Sequence, residues 1–142
     1  MSLLFLAFSC WLTVQPGNAA TVRLEWRIIA ASHRKGNMDP RLRDIYRDLG
    51  TIFNYQSYKL INANQIALSE GQSASISLPG KKQCTIKITH VSTQWVNVQI
   101  HITQNGRSTF GTTARLMNGR TLLIGGPSSH TEALIFSLRS FW

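Results

Sequence analysis

The side chains that could do chemistry in this 142-residue chain are few and scattered. The four histidines, His33, His90, His101 and His130, show no HxxxH, HExxH or Cys-His spacing. Zinc takes three or four ligands held together, so no metal site is expected, although His90 and His101 could face each other across neighbouring strands. The carboxylates are Glu25, Asp39, Asp44, Asp48, Glu70 and Glu132. Asp39 reads as a helix cap, Asp44 and Asp48 as residues of an exposed helix face, and Glu25 as an outward position between Arg23 and Arg27. That leaves no pair spaced for the acid and base of glycoside hydrolysis. No GxSxG elbow is present, and Ser128-Ser129-His130 reads as a turn rather than part of a triad. Gly125-Gly126-Pro127 has no helix behind it to help hold a phosphate, so it reads as a loop after a strand. Cys84, between Gln83 and Thr85, falls at a strand position and reads as a small core residue. No cofactor is implied.

The strongest single signal lies at the start. Residues from Leu3 to Leu12 form an apolar run broken only by Ser9, the length of a signal-peptide core and too short to span a bilayer. Pro16 and Gly17 break the run, and Gly17 and Ala19 supply the small side chains that a signal peptidase requires. Cleavage is therefore expected after Ala19, giving residues 1–19 as signal peptide and 20–142 as a single β-rich domain. No Lys or Arg precedes the apolar run; an uncleaved membrane anchor is the next reading and a buried N-terminal hydrophobic strand the last. Cys10 offers a lipoprotein signal, opposed by the bulky Phe8 where a small residue is usual. After cleavage only Cys84 would remain, so stability must come from packing without an internal disulfide. No transmembrane span would remain either.

Period-two alternation runs through most of the chain. In TVRLEWRIIAA, Val22, Leu24, Trp26, Ile28 and Ala30 fall on one face and Arg23, Glu25 and Arg27 on the other, as in a strand with one wet side. SHRKGN, residues 32–37, reads as a loop. MDPRLRDIYRDLG then supplies one helix, with Asp39 as N-cap, Pro40 at its first position and Gly50 as its stop. Leu42, Ile45, Tyr46 and Leu49 make a narrow apolar stripe that must lie on a sheet. From Phe53 onward the pattern is strands to the end. Pro79-Gly80 and Glu70-Gly71 mark turns, and Asn105-Gly106 and Asn118-Gly119 mark hairpins. The terminal FSLRSFW either finishes the core or pairs with a partner strand. With no second helix to make parallel crossovers, the expected fold is mainly β: a single antiparallel sandwich or curled sheet of about eight strands, with one amphipathic helix after the first.

The net charge of +9 belongs to the part after residue 22, because no Lys, Arg, Asp or Glu comes earlier. An exported basic domain meets anionic envelope polymers, and its field speeds the encounter. The expected patch for a partner or polyanion is His33, Arg34, Lys35, Arg41, Arg43 and Arg47, carried by the loop and the helix after it. Nucleic acid is not expected: Trp26 alternates inward rather than onto an open face where bases would stack, and export removes the chain from nucleic acid.

The segment FGTTARLMNGRTLLIGGP, residues 110–127, resembles the closing β-region of outer-membrane secretin channels, where a Thr-Thr strand, a Gly turn and a hydrophobic strand ending in Gly-Gly follow in that order. The resemblance implies a small accessory of envelope secretion or pilus machinery, with Thr112, Thr113, Gly119, Gly125 and Gly126 as structural positions. The expected function is thus an exported, periplasmic or extracellular, non-catalytic β-domain that binds an envelope protein or an anionic polymer. The alternative is a small exported hydrolase using a histidine and a hydroxyl. Mass spectrometry of the protein from its native envelope should give a chain that begins at Ala20; an intact Met1 would overturn every inference about compartment.

Overall fold

A computed structural model describes residues 21–142, so the expected signal peptide, including Cys10, lies outside the described residues. The alternation becomes eight strands in two antiparallel four-stranded sheets. β1 (Val22–Ser32), β2 (Ser57–Leu68), β7 (Thr121–Ser128) and β8 (Glu132–Phe141) form the first, in the order β2-β1-β8-β7. β3 (Ser73–Leu78), β4 (Lys82–Val91), β5 (Trp95–Gln104) and β6 (Arg107–Met117) form the second, a simple meander. The inner faces meet in one core. Val22, Leu24, Trp26, Ile28, Phe136 and Leu138 from the first sheet pack with Ile76, Cys84, Ile86, Ile88, Val98 and Ile100 from the second. The expected sandwich is therefore present, and Trp26 points inward, with its indole N–H donating to Asn62 Oδ1 at 3.0 Å.

A second core sits on the outer face of the first sheet. Ile29, Ala31 and Ile135 point away from the sandwich and are covered by Leu42, Ile45 and Leu49. The expected stripe is real, but its helix is split: Pro40–Ile45 is a 3-10 helix and α1 (Tyr46–Ile52) is α-helical. The 3-10 turn brings Leu42 over Ile45 at a spacing of three, and the α turn brings Ile45 over Leu49 at four. Asp39 caps the start as expected, its carboxylate accepting from the Arg41 N–H, with Pro40 next. Gly50 is not the stop. The helix runs through it to Ile52 and ends where Phe53 turns extended. There the buried Tyr58 hydroxyl lies 3.2 Å from the Leu49 carbonyl and 3.0 Å from that of Phe53, giving the last turn a polar partner that no glycine supplies.

One of the two expected hairpins is present and the other is corrected. Asn105-Gly106 is the two-residue hairpin foreseen, with positive φ at both residues (53° and 75°) and Gln104 opposite Arg107. Asn118-Gly119 is not a hairpin, because β6 and β7 lie in different sheets and the turn carries the chain across. It is held by the Gly119 N–H donating to the Ser140 carbonyl at 2.8 Å and by Asn118 bonding the backbone of Trp142. Glu70-Gly71 makes the opposite crossing, from β2 to β3. FSLRSFW finishes the core: β8 lies between β1 and β7, and Trp142 packs against the inner cluster.

Gly125-Gly126 is likewise not a loop but part of β7. Successive strand residues face opposite sides, and an aromatic ring presses on each. A Cβ at Gly125 would stand 3.4 Å from the Phe53 ring on the helix side; one at Gly126 would stand 2.6 Å from the Phe136 ring and 3.0 Å from the Leu134 carbonyl on the core side. Phe136 is fully buried and stacked on Phe110, so it has nowhere to retreat. Gly126→Ala should therefore cost about 1–3 kcal/mol in urea unfolding, whereas Gly125→Ala should cost clearly less; equal effects would refute this packing.

Candidate binding surfaces

The loop and helix over the first sheet are locked down by two acidic residues. Asp39 clasps the edge of β2: its N–H donates to the Tyr58 carbonyl at 3.0 Å and its Oδ2 accepts from the Leu60 N–H at 3.1 Å. Arg41 closes the ring, donating from Nε and Nη2 to the Asp39 carboxylate at 3.0 and 2.7 Å and from Nη2 to the Leu60 carbonyl. These bonds to the charged form, those from Arg41 first, hold the Asp39 carboxyl far below the usual carboxylate range. Asp44 ties the helix to β1 through a two-pronged pair with Arg27 at 2.8 and 2.9 Å, and the Arg27 guanidinium lowers its pKa.

The six residues of the expected patch are all exposed, but they do not all remain available. Arg41 is committed to the Asp39 clasp. His33 rests its ring against Tyr55, centroids 4.5 Å apart, and its backbone N–H donates to the Thr131 carbonyl. Arg34, Lys35, Arg43 and Arg47 enter no ion pair among the described residues. The shallow groove beside the helix, about 450 Å³, is a poorer anion site despite two arginines, because Glu25 and Asp44 oppose Arg27 and Arg139 along its walls.

On the outer face of the second sheet the histidines are separated. His90 is opposite Asn97 and His101 opposite Thr85, so the two do not face each other. His90 Nδ1 lies 2.9 Å from Glu70 Oε1 and its ring 5.1 Å from that of Trp95, over which Arg115 sits at 4.1 Å. His101 Nε2 lies 2.5 Å from Ser108 Oγ. That pair is a histidine with a hydroxyl, yet no carboxylate among the described residues bonds the other ring nitrogen, and the groove beside the helix does not include it. No group of three or more metal-type ligands occurs among the described residues. Cys84 is fully buried in the inner core, and burial pushes its thiol up to about 11, which makes it a packing residue rather than a nucleophile.

Comparison with known proteins gives no match to a family model, to a curated sequence or to a solved structure. The reading of this chain therefore rests on its own surfaces. One of them went unread in the sequence: a hollow of about 430 Å³ at one end of the sandwich, lined by Ala30, Ile61, Leu78 and Leu134 with Lys59 and Lys82 beside them. Its signal was the adjacent apolar pair Leu60-Ile61, which breaks the alternation of β2 at the very place where its register with β1 shifts.

The clasp makes stability depend on pH with a definite sign. The Asp39 carboxyl titrates lower in the folded chain than its ordinary 3.8, so its contribution is complete above that pH and disappears as the pH falls through the folded-state value. In thermal melts, Asp39→Asn should fall well below the parent at pH 7, and the gap should narrow as the pH drops below about 4. A gap that stays constant down to pH 2 would refute the ionised clasp.

Proposed function

We propose that this chain is an exported, non-catalytic binding domain of the cell envelope, and that it recognises an anionic surface polymer. The observation that carries the reading is the surplus of exposed cations without acidic partners on the loop-helix flank: Arg34, Lys35, Arg43 and Arg47, in a chain of net charge +9. Asp39 and Asp44 are consumed in holding the scaffold, which leaves Asp48, next to Arg47, as the acid of the helix against these four cations. Arg43 and Arg47 stand four residues apart across the junction of the two helices, a spacing that suits neighbouring charges of a polymer. A flexible polyanion asks for no deep pocket, only for cations whose counterions it can displace. The expected cleavage after Ala19 supports the compartment. No helix among the described residues is long and apolar enough to cross a membrane.

A narrower form of the proposal is an accessory of secretion or pilus machinery, supported by the residue order of 110–127. The alternative of a hydrolase has the His101–Ser108 contact in its favour, but that contact sits on an open sheet face with no third group to orient the ring.

The test is titration with a negatively charged envelope polymer such as lipoteichoic acid over a range of salt. Binding should weaken steeply with NaCl, and Arg43→Gln with Arg47→Gln should lower affinity by about 30-fold, from roughly 1 kcal/mol for each cation lost near an anionic surface. Unchanged affinity in the double variant would move the site elsewhere. Absence of polymer binding, with a protein captured by gentle crosslinking, would replace the polymer by an envelope protein.

A further inference from the structure

The parity of the strands puts two lysines where core residues belong. In β1 the inward set runs Val22, Leu24, Trp26 and Ile28 and reaches Ala30, which is paired with Lys59 on β2 and with Leu134 on β8. In β4 the inward set Ile88, Ile86 and Cys84 reaches Lys82 at the same alternation, opposite Leu78 on β3. One lysine from each sheet therefore sits on a face that elsewhere is filled with Ile, Leu and Val. Both line the same hollow of about 430 Å³, within the range of roughly 300–1,000 Å³ of small-molecule sites.

The walls are apolar and held apart by two irregularities. At Ile61 the register of β2 against β1 shifts, leaving Ile61 as an extra residue that packs against the inner core. Between Gly125 and Ser128 the register of β7 against β8 shifts, and Pro127 lines the hollow. Bulges bend the strand that carries them, so both outer strands of the first sheet are bent at the end where the hollow opens. Leu78, Pro79 and Leu134 complete the apolar lining. Lysine stems lie along such surfaces with their ammonium groups at the rim. Glu132 is the one acidic residue in the lining, and it forms no ion pair with either lysine.

An apolar slot closed by two ammonium groups and one carboxylate carries a net positive mouth over a greasy interior. We infer that this end of the sandwich binds the anion of a single-chain fatty acid, its hydrocarbon inserted against Ile61, Leu78 and Leu134 and its carboxylate held by Lys59 and Lys82. The site is independent of the polyanion flank, since none of Arg34, Lys35, Arg43 or Arg47 contributes to it.

The experiment is calorimetric titration of the purified chain with dodecanoate below its micelle concentration, with dodecyl maltoside as the same chain on a neutral head. The expected result is one dodecanoate per chain, bound about tenfold or more tighter than the maltoside. Lys59→Gln with Lys82→Gln should abolish that preference while keeping chain binding. Ser128→Trp, a substitution at an exposed residue of the mouth that should spare the fold, should block both ligands with an unchanged melting temperature. Failure of dodecanoate to bind, equal binding by Ser128→Trp, or binding to anionic phosphatidylglycerol vesicles alone would overturn the inference. Polymer binding measured on the same variants stays intact in either case, which keeps the two readings separable.

Discussion

β1 has to serve two cores at once. Its even-numbered residues from Val22 to Ile28 face the second sheet, while Ile29 and Ala31 face the helix, and all six are buried. A strand buried on both sides at one end and wet on one side at the other fixes what can lie around it. The helix covers only the Ile29–Ala31 end, and Arg23, Glu25 and Arg27 keep the remainder of that face polar. The Arg27–Asp44 pair stands at the boundary, where the helix stops covering the sheet and solvent begins. The Asp39 clasp, the shallow groove and the exposed cations of the flank all take their places from that division.

Much of this was legible in the sequence because strand parity is a local property. The eight strands, the Asn105-Gly106 hairpin, the inward Trp26, the Asp39 cap and the apolar stripe each follow from neighbours within a few residues. What was not legible depends on contacts between distant segments. Gly125-Gly126 looks like a loop until Phe53 and Phe136 press on its two faces, and Asn118-Gly119 looks like a hairpin until the two strands it joins enter different sheets. Gly50 looks like a helix stop because the cap that ends the helix is a tyrosine from β2. Of the expected patch, the exposure of all six residues was foreseeable; the closing of the Asp39–Arg41 pair onto the Leu60 backbone of β2 was not, since it joins residues about twenty apart in the chain.

The charge balance has a structural side as well. The chain carries 15 Lys and Arg against 6 Asp and Glu. Asp39, Asp44 and Glu70 are held by Arg41, Arg27 and His90, leaving Glu25, Asp48 and Glu132 to offset the rest. Half of the acids are spent on geometry, and the three left over are far fewer than the unpaired cations, so the excess of positive charge is a property of the surface. Pairs as exposed as Arg27–Asp44 and Glu70–His90 add little stability individually, and the two-pronged geometry of the Arg27 and Arg41 contacts matters more for fixing where the helix sits.

The two strands at the centre of the first sheet, β1 and β8, come from opposite ends of the described chain and pair along almost their whole length. Until β8 is present, β1 has only β2 beside it, and the inner residues Val22, Leu24 and Ile28 lack half of their lateral cover. The second sheet, by contrast, is a meander of neighbours that can assemble early from local hairpins. Closure of the first sheet then waits on residues 132–141: without them the local meander of the second sheet keeps all its strand neighbours, whereas β1 has a partner on one side alone.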